Sequence, residues 1–375
     1  VSVTLIGFLV SVYGLARIIT DLPAGRLAER FGRRSMLIFA SVVTGLSSLG
    51  MAVSTEFWQL IVFRFLLGVS SAVHVVTAQI ALADLSTTET RAQYLSLHSG
   101  SRQVGNSLGP AFGGFVAQYF GLRAPFFVYA AMTIAASLWT YFFIPETSSK
   151  QPVTQAPGQS VQPSPPENTY NNNNSSTLSV IKTLLRDNSF LLITLVVIGN
   201  FIAASGGQQT ILPLYGHSKL GMTEGQLGLA MTLIAITTLV TVFMVGWLSD
   251  KVGRKVVIVP GIIGLAFSVS LFGLSKSIWV FMAAAVIMGL SRGVGGSIPA
   301  AYVADIAPPG KFGITLGLFR TFGDVGFFLG PILMGWLADT THSLSVPLFA
   351  VTGFLVVTVV LFGIFARETV KKIAV

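Results

Sequence analysis

Long apolar stretches separated by short polar turns run the length of the chain. Stretches near 2–24, 36–54, 58–82, 93–118 and 124–144 each hold about the 20 residues needed to cross a bilayer. Six more follow near 188–207, 223–246, 256–275, 278–302, 313–337 and 346–366. The pattern predicts eleven membrane-crossing helices, five before and six after a polar interval. That interval, 147–178, is rich in Pro, Ser, Gln and Asn and contains four consecutive asparagines. It reads as a disordered linker, and its composition leaves little apolar surface to bury. The boundaries expected are 1–146 for an N-terminal bundle, 147–186 for the linker and 187–375 for a C-terminal bundle.

The two sets of stretches repeat each other. Residues 25–34 read Gly-Arg-Leu-Ala-Glu-Arg-Phe-Gly-Arg-Arg, and residues 246–255 read Gly-Trp-Leu-Ser-Asp-Lys-Val-Gly-Arg-Lys, an offset of 221 residues. The same offset carries Gly68 to Gly289, Asp84 to Asp305, Gly105 to Gly326, Gly109 to Gly330, Pro110 to Pro331 and Gly114 to Gly335. About half the chain is thus a duplication of the other half. Each copy reads as a basic loop, with glycines where the chain reverses and one carboxylate among several cations. Moving 188–207 back by the same offset places its twin before Val1. The register therefore predicts about 40 upstream residues carrying a first helix.

Composition agrees with a bilayer setting. Hydrophobic residues make up 52% and charged residues 10% of the chain, with mean hydropathy +0.76, against about 25% charged in soluble domains. The net charge of +9 comes from cations scattered at helix ends, without the basic stripe or aromatic platform that nucleic acid requires. No cysteine is present, which excludes a disulfide framework, a thiolate metal site and a cysteine nucleophile. If the 25–34 loop is cytoplasmic, fifteen of the 23 cations lie inside, and only Arg123, Lys219 and Lys276 lie outside. That bias sets the expected topology, with linker and C-terminus cytoplasmic and the cell (inner) membrane as location.

Two six-helix halves, a long middle loop and the doubled loop pattern resemble the major facilitator superfamily, and in particular its drug:proton antiporter-like members. Gly25, Glu29, Arg30, Gly32, Arg33 and Arg34 match the family's signature after its second helix, with Glu29 where aspartate is more usual. Gly246, Asp250, Lys251, Gly253, Arg254 and Lys255 match it again. The resemblance implies an all-α polytopic membrane fold and a cytoplasmic latch, joined by the acid ending the fourth helix, here Asp84. Positive-inside anchoring is the plainer reading of the same cations. A second signature, Gly105, Gly109, Pro110, Gly113 and Gly114, resembles the fifth-helix motif associated with proton-coupled exporters. Small residues allow close helix approach and proline bends a span, so a hinge is expected, with tight packing alone as the alternative. Gly105 to Gly109 also fits a Gly-x-Ser-x-Gly pattern, but a nucleophile elbow needs a strand-to-helix turn and the duplicate loses the serine. An enzyme is not expected.

Charges inside membrane spans are costly and mark function by default. Here they are Arg17, Asp21, Arg64, Arg102, Arg292, Arg320 and Asp324, and under the 221-residue offset none of them has a charged twin. Arg17 with Asp21, and Arg320 with Asp324, are four apart and could form structural ion pairs. Asp324 lies about eleven residues into its helix, roughly 16 Å, close to the midplane. It is the expected proton site. Burial disfavours the charged form of a carboxyl and a cation one turn away favours it, so movement relative to Arg320 would change its proton affinity. Arg64 resembles the fourth-helix arginine of proton-coupled members. His74 could join a relay or simply pack, and Asn106, Asn200, Gln208 and Gln209 read as polar lining.

The expected function is proton-coupled export of a small organic compound by alternating access. The alternative is uptake or facilitated passage of an organic anion, which the arginine excess favours. A non-transporting receptor or scaffold would need neither midplane charges nor paired latches. The expected partners are a small-molecule substrate, protons and the lipid bilayer. No cofactor, metal or nucleic acid is expected, and the protein is read as a monomer.

Overall fold

The computed structural model describes residues 2–86, 91–144, 177–308 and 311–369. Residues 145–176, most of the expected linker, lie outside the described residues, as do the surroundings of Gly246 and the side chains of Glu29 and Asp250. Everything described is helix joined by short turns, because a segment inside a bilayer must satisfy its own backbone hydrogen bonds. The first half is α1 (Val3–Phe31), α2 (Arg33–Val53), α3 (Phe57–Leu85), α4 (Arg91–Phe120) and α5 (Ala124–Phe143). The second is α6 (Thr177–Leu184), α7 (Asn188–Ile202), a π-helical stretch Ala203–Ile211, α8 (Leu212–Leu220), α9 (Glu224–Val252), α10 (Arg254–Leu274), α11 (Ile278–Ile306), α12 (Phe312–Thr341) and α13 (Ser345–Phe365).

Ten described helices are long and apolar enough to cross a membrane, with α7 through α8 counting as one. The eleventh expected span, α4, is 30 residues long, but its mean hydropathy is low because of its glycines, serines and Arg102. Three expectations change. The basic motifs are not ten-residue loops: α1 continues to Phe31 and α9 to Val252, leaving Gly32 and Gly253 alone at the turns. Their φ values of 91° and 110° lie in the region that a side chain disfavours, which is why glycine stands there. The span expected at 188–207 runs on to Leu220 through the π-helical stretch. Within the expected linker, α6 buries Val180 and Leu184 in the core of the second half.

The second half packs around Phe190, Ile193, Phe272, Phe281 and Tyr302, all fully buried. The first half has a smaller centre, Ala24, Ala28, Met36, Ala40 and Val73. Along α5 only Ala130 and Ser137 are buried. The halves meet where α1 packs on α12 and α4 packs on α9. We call the end holding Gly32 and Gly253 the motif end, and the end holding Gly121 and Gly221 the far end.

Candidate functional site

At the motif end, each half ties the start of one helix to the end of another. Arg33 Nε lies 2.9 Å from Asp84 Oδ2, joining α2 to α3, and Arg254 Nε lies 3.4 Å from Asp305 Oδ2, joining α10 to α11. The pairs are twins under the 221-residue offset. Arg254 also reaches Ser249 Oγ at 2.8 Å, and Thr369 Oγ1 donates to Asp305 at 2.8 Å. Arg34 donates to Tyr141 O and stacks over its ring, while Arg30 sits over Phe31. Glu368, which the sequence did not single out, accepts from the backbone N–H groups of Arg254 and Lys255 at 2.9 and 3.1 Å. Lys255 Nζ donates to Ala366 O at 2.7 Å, so α13's end is sewn to the start of α10. Lys251 is exposed there. Gly25 has only Val76 near its missing side chain, at 4.0 Å.

The far end holds a second twofold arrangement that sequence reasoning missed. Asp339 on α12 accepts from Val3 N at 2.9 Å, Thr4 N at 2.8 Å and Thr4 Oγ1 at 2.5 Å, satisfying the free N–H groups at the start of α1. Gln118 on α4 accepts from Thr223 Oγ1 at 3.2 Å and Gly225 N at 3.1 Å at the start of α9. Gln118 and Asp339 are themselves related by the offset, which was the signal available to find them. Below each cap, glycines let the helices touch. A Cβ on Gly7 would lie 2.2 Å from Pro331 O, and one on Gly228 would lie 2.4 Å from Pro110 O. Gly114 meets Glu224 O, and its twin Gly335 meets Val3 O. Gly105, Gly109 and Gly113 differ. Among the described residues, no atom lies within 4 Å of a Cβ built there, whereas Gly326 and Gly330, the twins of Gly105 and Gly109, press on Ile198 and Ile202 of α7. Close approach in the fifth-helix motif is thus confined, among these glycines, to Gly114, and α4 runs unbroken through Pro110.

On the motif-end side of these contacts lies a cavity of about 610 Å³ between the halves. Arg17 and Asp21 enter it from α1, Asn200 and Phe201 from α7, Arg292 from α11, and Arg320, Asp324 and Phe327 from α12. Neither four-residue pair closes: among the described residues, no salt bridge joins Arg17 to Asp21 or Arg320 to Asp324. Instead Asp324 faces the charges of Arg17, Asp21 and Arg320 together, across the boundary between the halves. Arg292 stands apart and donates from Nη1 to Gln208 Oε1 of the π-helical stretch. Gln209 is exposed.

The remaining expected path residues lie elsewhere. A separate cavity of about 290 Å³ within the first half is lined by Tyr13, Ser71, His74 and Tyr129, and Arg64 sits over the Tyr13 ring at 5.3 Å. Tyr13 Oη and Ser71 Oγ are 2.8 Å apart. Arg102 is exposed on α4 near His74 and His98, and Asn106 is exposed one turn further along.

A twofold pair of membrane-crossing helical bundles around a charged central cavity defines a multi-pass transporter for small molecules. The sequence pattern described as Major Facilitator Superfamily matches residues 1–223 and again 203–374, and the chain belongs to that family. It is 27% identical over 343 residues to Multidrug resistance protein 2 of Bacillus subtilis, covering 89% of this chain and 80% of that one. It is 24% identical to the class B tetracycline resistance protein of Escherichia coli, covering 91% and 80%. It is 23% identical to the cis,cis-muconate transport protein of Acinetobacter baylyi, covering 84% and 74%. Its fold matches a bacterial homolog of the human lysosomal transporter Spinster with TM-score 0.75 at 14% identity, covering 96% and 88%.

Proposed function

We propose that this chain carries out proton-coupled export of small organic compounds, with its motif end cytoplasmic. The observation that carries the reading is Asp324, a carboxylate in the central cavity that faces charges from both halves without being locked to any one of them. Relative motion of the halves changes its surroundings and therefore its affinity for a proton. The described inter-half hydrogen bonds lie at the far end or at mid-depth. The cavity lies on the other side, so this conformation presents substrate binding to the cytoplasm. The drug-resistance names of two relatives support export. Arg33, Asp84, Arg254 and Asp305 act in this reading as paired struts that keep each half rigid while it rocks.

The cavity also favours a second reading, passage of an organic anion, because three arginines and two aspartates line it. The muconate transport relative is in keeping with that. Inside-out vesicles with an acidic interior distinguish the two. Export predicts gradient-dependent accumulation of tetracycline or ethidium that collapses when the pH gradient is dissipated. Accumulation of cis,cis-muconate in right-side-out vesicles, with neither drug moved, would replace export by uptake.

A further inference from the structure

We propose that Arg292, held by Gln208, and Asn200 form a carboxylate-binding subsite at one end of the central cavity. Among the small organic compounds that enter the cavity, it selects acids carrying a hydrogen-bond donor and an apolar body. The proposal rests on the central cavity being the substrate site. It goes further by assigning the anion to one arginine out of three.

The argument starts from how the charges are distributed. Arg17 and Arg320 both face Asp324, so they have an acid to answer. Arg292 has none in contact: among the described residues no salt bridge reaches it, and its sole described hydrogen-bond partner is the neutral amide oxygen of Gln208. A guanidinium at membrane depth without an anion is expensive, and an amide oxygen satisfies one of its five N–H donors while leaving the charge uncompensated. A carboxylate matches the planar fork of a guanidinium and supplies the missing charge.

The second observation is an unsatisfied acceptor beside it. Asn200 is 8% exposed and lines the same cavity. Its amide nitrogen donates to Gly295 O at 3.2 Å, on the helix that carries Arg292, and its Oδ1 has no partner. A buried carbonyl oxygen left unpaired is costly, and a cargo donor met by rotation of the Asn200 amide would recover that cost. The third is the backbone that holds Gln208. Ala203–Ile211 is π-helical, its widened turns are tied by Thr210 Oγ1 to Ser205 O at 3.0 Å, and Gly206 passes against Gly330 O of α12. Such local widening of a helix recurs at functional sites. Phe201, Phe319 and Phe327 supply apolar lining for the rest of the molecule.

The test uses the full chain purified in detergent at pH 7, with indole-3-acetate as probe and indole-3-acetamide as its neutral isostere. Binding is read by calorimetric titration and by thermal shift. Indole-3-acetate should bind about tenfold or more tighter than the amide, as one charge-assisted hydrogen-bond pair would give. Arg292→Gln should abolish that preference, Arg292→Lys should keep part of it, and Asn200→Asp should weaken the acid more than the amide. Lys276→Gln, an exposed charge removed at the far end, should change nothing. Equal affinity of wild type for acid and amide overturns the proposal without any variant, and so does a monodisperse Arg292→Gln protein that retains the preference. No gradient enters this measurement. Failure here leaves the vesicle result standing, and failure of gradient-driven transport leaves the binding preference standing.

Discussion

Asp324 is the residue on which the proposed coupling rests. Asp324→Asn keeps size and hydrogen bonding but cannot titrate, so gradient-driven accumulation should vanish while substrate binding and passive exchange persist. Reconstituted variant that still concentrates tetracycline on a proton gradient alone would move the role to Asp21, which faces the same group. Gly32 carries a different constraint, one of backbone rather than charge. At φ 91° any side chain is strained, and the same holds for Gly253 at 110°. Gly32→Val should cost about 1–2 kcal/mol at the α1–α2 turn and slow transport severely with folded protein still in the membrane. Gly25→Val lacks that backbone constraint, because Gly25 lies within α1 at ordinary helical φ, and its nearest described neighbour is at 4.0 Å. Equal transport rates for Gly32→Val and wild type would remove the turn from the mechanism.

At the scale of elements, the far-end closure rests on two helix pairs, each capped and each touching through glycine. Asp339 takes three hydrogen bonds from the start of α1. Asp339→Ala removes them, and a cap of this kind, here supplied by a neighbouring helix, contributes about 1 kcal/mol. That shifts the closed-to-open ratio roughly fivefold toward open. Because the chain has no cysteine, spin labels at Leu122→Cys and Lys276→Cys report the far-end distance directly by double electron–electron resonance. A longer-distance population should grow in Asp339→Ala, and an unchanged distribution would show that the cap does not hold the closure. Gly7→Val should have the stronger effect, because its side chain collides with Pro331 O. The collision involves backbone, which no rotamer change can relieve.

For the molecule as a whole, the twofold frame makes the two ends interdependent. If each half rocks as a rigid body, labels at Phe31→Cys and Val256→Cys across the motif end should approach as the far-end labels separate. Gly7→Val provides the check: the far end is wedged open, so the motif-end distribution should shorten without substrate or gradient. Far-end opening with no change at the motif end would mean that the helices bend locally and the halves do not rock.

Membrane class, the succession of long apolar stretches, the doubled frame and the twin basic motifs were all legible in the chain. They depend on local hydropathy, on the glycines and cations of the basic motif, and on a duplication preserved in register, whereas the one-residue turns at Gly32 and Gly253 emerged only in the fold. The charged residues of the cavity were legible as a set, since any charge inside an apolar span announces its cost. Which of them belong together was not. Spacing suggested Arg17 with Asp21 and Arg320 with Asp324, but residues four apart share a helix face without their charged ends having to meet. Packing α1 against α12 instead brought Arg17 and Asp21 of one half to Asp324 of the other and left Arg292 to Gln208. Asp339 and Gln118 sit at helix ends where polar residues are ordinary, so nothing local distinguished them. Their meaning arises only when a helix from the opposite half arrives with unsatisfied N–H groups, and that meeting is set by tertiary structure.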